Sequence, residues 1–177
     1  MLTLSKKICL LGDFAVGKTS LVRRFVYDLF DDKYLSTIGV KVSRKIITVA
    51  REQDLVELTI MLWDLAGSEE FTHMWASYLR GASAVMLVGD LTRPETFDAL
   101  SRYVSDLDRV GPRPPLLLAA NKADLLGDSD EDQVLVQQIQ ALAEALAAPL
   151  YLTSALSGQE VENAFRHLGR IMVEHDA

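Results

Sequence analysis

The chain has 177 residues, of which 49% are apolar and 24% charged, with a formal net charge of −7. That length suits one hydrophobic core and one globular unit spanning 1–177, and the composition excludes an intrinsically disordered chain. Nucleic acid is not expected as a partner, because its binding rests on clustered Lys and Arg, whereas the basic residues here are scattered through an acidic chain.

The single cysteine, Cys9, lies in the apolar run Ile8-Cys9-Leu10-Leu11. No intramolecular disulfide can form, and a buried strand thiol in a reducing compartment is the expectation. Lys6 and Lys7 precede an apolar stretch that ends at Gly12, too short for a signal-peptide core or a membrane span. Leu2 excludes N-myristoylation, and His175-Asp176-Ala177 offers no cysteine to prenylate. The expectation is a monomeric cytoplasmic chain with no direct membrane anchor, reaching membranes only through partners.

In chain order, residues 6–11 read as a short buried strand. Residues 19–28 read as a helix, with Leu21, Val22, Phe25 and Val26 at helical spacing. Segments 40–49 and 55–63 are β-rich and joined by Arg51-Glu52-Gln53-Asp54, as in an antiparallel pair. Apolar runs at 83–89, 116–120 and 149–152 then alternate with helical patterns at about 95–109, 132–147 and 159–174. That alternation is the mark of βαβ units on a parallel sheet. Ligands of such sheets bind at the carboxyl ends of the strands.

Gly12-Asp13-Phe14-Ala15-Val16-Gly17-Lys18-Thr19 fits Gly-x-x-x-x-Gly-Lys-[Ser/Thr] between a predicted strand and a predicted helix. The loop's backbone N–H groups, from Gly12 through Ser20, would point at phosphate oxygens, and the helix N-terminus adds its dipole. Lys18 would neutralise charge between the β- and γ-phosphates, and the Thr19 hydroxyl would ligate Mg²⁺. Alone, this motif means only a nucleoside triphosphate.

Asn121-Lys122-Ala123-Asp124 follows the apolar strand 116–120 at the same sheet edge. The Asp124 carboxylate can accept from N1–H and the 2-amino group of guanine, a donor pair that adenine lacks. Asn121 would tie this loop to the phosphate loop, and the Lys122 stem can lie over the base.

With these motifs in order, the chain resembles a Ras-superfamily small GTPase, nearest to the Rab branch, from about Lys6 to Arg170. The resemblance implies a P-loop NTPase G domain: a six-stranded, mostly parallel α/β sheet with one antiparallel edge strand and about five helices. Tyr34-Leu35-Ser36-Thr37-Ile38-Gly39-Val40 resembles the first switch, in which Thr37 would ligate Mg²⁺ and contact the γ-phosphate, with Tyr34 beside the nucleotide. Phe30 matches the aromatic that packs against guanine. Trp63-Asp64-Leu65-Ala66-Gly67 resembles the start of the second switch, with Asp64 holding Mg²⁺ through water and the Gly67 N–H meeting the γ-phosphate. Thr153-Ser154-Ala155-Leu156 resembles the last guanine loop, whose Ala155 N–H would contact the base oxygen. Tyr78-Leu79-Arg80-Gly81-Ala82 is similar to the Rab stretch after the second switch, and Val42, Trp63 and Tyr78 resemble a partner-facing surface. Implied partners are effectors, exchange factors and GTPase-activating proteins.

Three positions depart from the family pattern. Ser68 stands where the family carries a Gln that orients the attacking water, Phe14 where it favours a small residue, and Ala15 where it commonly has Gly. The catalytic set is then Lys18, Thr37, Gly67 and Ser68, and slow intrinsic hydrolysis with resistance to arginine-finger activators is expected. Glu69 or His73 is the substitute candidate for positioning water. A fourth departure is the missing C-terminal cysteine, which fits either a trimmed chain or a branch that works without a lipid. The alternative reading is a hydrolysis-deficient pseudo-GTPase acting as a GTP-bound scaffold; an ATPase or small-molecule kinase is disfavoured by Asp124 and the Ser154-Ala155 loop.

Overall fold

The computed structural model describes residues 2–33, 35–52, 54–67 and 73–175. In chain order it forms β1 (Leu2–Leu11), α1 (Lys18–Tyr27), β2 (Val40–Arg51), β3 (Asp54–Leu65), α2 (His73–Leu79) and β4 (Ala84–Asp90). There follow α3 (Glu95–Asp98), α4 (Leu100–Val110), β5 (Leu116–Asn121), α5 (Asp130–Ala145), β6 (Leu150–Leu152) and α6 (Val161–Glu174).

The strands make a six-stranded sheet in the order β2-β3-β1-β4-β5-β6. Every pairing is parallel except β2 with β3, which runs antiparallel from Val40↔Leu65 to Arg51↔Asp54. This is the sheet of a P-loop NTPase G domain, with its antiparallel strand at one edge. β4 and β5 are buried along their whole length, as strands covered by helices on both faces must be.

Two apolar layers flank the sheet. α1 and α6 cover one face, where Phe25 stacks on Phe165 with ring centroids 4.3 Å apart. α2, α4 and α5 cover the other, where Trp75 and Tyr103 lie 5.8 Å apart and Cys9 is buried.

Element boundaries differ from the sequence expectation where packing or caps supply what periodicity lacks. β1 begins at Leu2 rather than Lys6, because it pairs with β3 from Leu2↔Val56 onward although its first residues are largely exposed. The helix expected at 95–109 is divided into α3 and α4, with helical dihedrals at the intervening Ala99, so the two act as one helical segment. α5 starts two residues early. Ser129 caps it by accepting from the Asp132 N–H, and Asp130, Glu131 and Asp132 meet the positive end of its dipole. α2 has no counterpart among the expected helices; at seven residues, burying Trp75, Ala76 and Leu79, it is too short for a clear stripe.

The loops after β1, β3, β5 and β6 all emerge at one sheet edge, since those strands are parallel. Among the described residues, no helix is long and apolar enough to cross a membrane.

Candidate functional site

A cleft of about 350 Å³ opens at that edge. The phosphate loop forms its floor. Gly17 adopts φ 104°, a left-handed conformation suited to glycine, and a Cβ there would lie 2.2 Å from Asn121 Nδ2. Phe14, Ala15, Gly17, Lys18, Thr19 and Ser20 face the cleft, whereas Gly12 and Val16 are buried beneath it and Asp13 lies outside its lining. Lys18 is buried, and its ammonium is held by the carbonyls of Gly12 at 2.8 Å and Asp13 at 3.0 Å. Burial pushes its pKa down to about 8, with Arg93 adding repulsion and Asp64 and Asp13 opposing. A buried cation in a glycine-containing loop at a helix N-terminus is a receptor for a polyanion.

At the far side of Lys18, three oxygen ligands converge from three segments. Thr19 Oγ1 lies 2.8 Å from Thr37 Oγ1, and Thr19 also donates to Asp64 Oδ2. Asp64 is 1% exposed, and its Oδ1 has no hydrogen-bond partner among the described residues. Burial raises its pKa against the hydrogen bond from Thr19 and the pull of Lys18. Two hydroxyls and one orphaned, buried carboxylate oxygen suit a hard dication that keeps waters and phosphate oxygens in its shell, so the donor set fits Mg²⁺. Thr37, Ala66 and Gly67 also line the cleft. Gly67 is pressed on the phosphate loop, where a Cβ would lie 2.4 Å from the Phe14 nitrogen.

The other end of the cleft is built by the loops after β5 and β6. Asn121 Nδ2 donates to the Val16 carbonyl at 3.0 Å, and its Oδ1 accepts from Thr153 Oγ1 at 3.2 Å and from the Ala155 N–H at 3.3 Å. The last bond is long enough to be shared with a second acceptor. Buried Ser154 donates to Asp124 Oδ1 at 2.5 Å, which orients that exposed carboxylate. Lys122 and Asp124, with Phe30, Ala155 and Leu156, line this end. The Lys122 ammonium is anchored 2.6 Å from Asp90 Oδ2. Tyr34, Ser68 and Glu69 lie outside the described residues; His73 is the exposed first residue of α2.

Several supports had no motif. Asp90 at the end of β4 is fully buried. Burial would raise its pKa, but hydrogen bonds from Lys122, Thr92 and Arg93 hold it below the ordinary value. Arg93 then reaches the Phe14 carbonyl at 2.7 Å, and Tyr103 donates to Asp13 Oδ1 at 2.9 Å, so the phosphate loop is braced from the turn before α3 and from α4. An acidic residue closing a wholly apolar strand at the ligand edge was the available clue for Asp90; Arg93 and Tyr103 carried none. Val42, 43% exposed, pairs with half-buried Trp63 in the β2–β3 ladder, and Tyr78 lies 6.2 Å from Trp63. They form one partly exposed apolar patch beside the switch segments.

Comparison with known proteins agrees with this geometry. A model of the Ras family matches residues 7–174. The chain is similar to Ras-related protein Rab-31 of Rattus norvegicus, 35% identical over 165 residues that cover 93% of this chain and 81% of that protein. It is 36% identical over 172 residues to Ras-related protein Rab-22A of Homo sapiens, covering 97% and 85%. It is 38% identical over 160 residues to Ras-related protein RABD1 of Arabidopsis thaliana, covering 90% and 75%. The chain therefore belongs to the Ras family, and it is a Rab-like, GTP-binding small GTPase.

Proposed function

We propose that this chain is a Mg²⁺-dependent GTP/GDP switch on a single G domain spanning 1–177, and that its own hydrolysis of GTP is slow. The observation that carries the switch reading is the meeting of Thr19, Thr37 and Asp64 at one point. Thr37 precedes β2, so holding its hydroxyl beside Thr19 draws the 29–39 segment onto the nucleotide. Gly67 does the same for the segment after β3. Mg²⁺ would supply neutralising charge to the β- and γ-phosphates, with Thr19 and Thr37 as direct ligands and Asp64 through water. Lys18 bridges the same phosphates, and Asp124, Ala155, Lys122 and Phe30 select and sandwich guanine. Loss of the γ-phosphate removes the partner of Thr37 and Gly67, which releases both segments.

Slow hydrolysis rests on two side chains. Ser68 is too short to orient water as a Gln does. Phe14, 56% exposed, lines the cleft, and its backbone packs against Gly67, so its bulky ring crowds the mouth through which an arginine would be inserted. Effectors, exchange factors and activators engage the switch segments and the Val42, Trp63 and Tyr78 patch, and the chain acts as a cytoplasmic monomer recruited to membranes by partners.

The test is chromatographic identification of the bound nucleotide, then single-turnover hydrolysis of loaded GTP with Mg²⁺ beside Ser68→Gln. Persistent GTP in the native protein, with at least about tenfold faster loss in the variant, is the expected result. Rapid native turnover defeats the slow-switch reading. GTP that survives in both proteins favours the scaffold alternative.

A further inference from the structure

Arg24 lies in the last turn of α1, at the opposite end of the helix from the phosphate loop. Its guanidinium makes contacts that α1 itself does not require. Nε donates to the Ala155 carbonyl at 2.8 Å and Nη2 to the Leu156 carbonyl at 2.7 Å, residues more than 130 positions away in the chain. Nη1 donates to Asp28, to the carbonyl at 3.3 Å and to Oδ1 at 3.0 Å. The side chain is 18% exposed. The Gly158 turn passes beside its stem, where a Cβ would lie 3.7 Å from Cδ.

These partners lead into two different parts of the cleft lining, Phe30 on one segment and Ala155 and Leu156 on the other. Asp28 is the left-handed cap of α1, at φ 53°, and starts the segment that carries Phe30. Ala155 and Leu156 belong to the loop after β6. Residue 155 is thus held twice, its N–H by Asn121 and its carbonyl by Arg24. A planar guanidinium with donors in a fixed fork sets the separation of what it binds, which a flexible ammonium cannot do.

We propose that Arg24 is a positioning residue for guanine recognition: it fixes the gap between the Phe30 segment and the 153–156 loop, and so aims the Ala155 N–H at the purine 6-oxygen. The proposal rests on the reading that this loop faces guanine. Aim matters because a hydrogen bond weakens steeply with misalignment, whereas stacking on Phe30 tolerates drift.

The test compares release of GDP and of 6-thio-GDP from the native protein, Arg24→Met and Arg24→Lys, with Mg²⁺ present. The thio analogue keeps N1–H and the 2-amino group for Asp124 but replaces the 6-oxygen by a poor acceptor. In the native protein 6-thio-GDP leaves about tenfold faster than GDP. In Arg24→Met, GDP release accelerates by a similar factor while 6-thio-GDP release changes little, so the ratio falls toward one. Arg24→Lys, which keeps the charge and one donor direction, falls between. A ratio in Arg24→Met equal to the native one, with both rates raised together or both unchanged, assigns Arg24 to general stability and overturns the proposal. If Arg24→Met does not fold, an unchanged ratio in Arg24→Lys does the same. A native ratio of one rejects the guanine contact of Ala155 itself, and the proposal falls with it.

Discussion

Asn121 reaches from the end of β5 into the phosphate loop and donates to the Val16 carbonyl at 3.0 Å, joining the two ends of the cleft through a fully buried amide. Its carbonyl oxygen at the same time gathers Thr153 and Ala155. One side chain therefore fixes the distance between the phosphate end and the base end.

Asn121→Ala leaves the Val16 carbonyl, the Thr153 hydroxyl and the Ala155 N–H without the partner they share at a buried position. Nucleotide-free stability should fall by about 1–3 kcal/mol. A lower urea midpoint with unchanged slope is the signature. An unaltered midpoint would show that the bridge forms only on nucleotide binding.

Gly67→Ala puts a methyl group 2.4 Å from the Phe14 nitrogen and 2.8 Å from the Asp13 carbonyl carbon. Both are backbone atoms, so the second-switch segment must withdraw rather than a side chain turn aside. GTP affinity should drop about tenfold more than GDP affinity, since the Gly67 N–H would meet only the γ-phosphate. Competition binding measures both; equal losses would remove Gly67 from the γ-phosphate.

Asp124→Asn replaces an acceptor pair with one acceptor and one donor, while the Ser154 hydroxyl can still orient the group. GDP should bind on the order of a hundredfold more weakly, and xanthosine diphosphate, whose 2-oxygen accepts, should gain relative to it. Weakened GDP binding without that gain would mean Asp124 supports the loop and does not read the base.

Cys9 supplies a pH-dependent prediction. Burial raises its pKa from 9.0 to about 12, against the pull of Lys7. An unfolded chain loses this proton near pH 9 and the native chain holds it to about 12, so the native state binds more protons in between. Stability should then decline as pH rises through that window, and Cys9→Ser should flatten the decline. At pH 8 a thiol reagent should label the protein only as fast as it opens globally.

The sequence revealed those parts of the molecule whose chemistry is local. Lys18, Thr19, Asn121 and Asp124 sit in short motifs beside apolar strands, and period and run length located all six strands. Arg24, Arg93, Asp90 and Tyr103 escaped because their partners lie far along the chain. An Arg on the polar side of α1 looks like any solvated residue until β6 brings Ala155 to it. α2 escaped for a different reason, since its helical shape comes from burying Trp75 and Leu79 against α4 and the sheet.

The position of β1 inside the sheet, between β3 and β4, has a dynamic consequence. At its buried end β1 is paired on both sides from Ile8 to Leu10, so the amides there exchange with solvent only when a ladder of the central sheet parts. The outward amides of edge strand β2 need no such event. The phosphate loop is thus suspended from the buried end of an interior strand, while the segment bearing Thr37 leads into the edge strand. Partners can remodel that segment repeatedly without drawing on the free energy that keeps the chain folded.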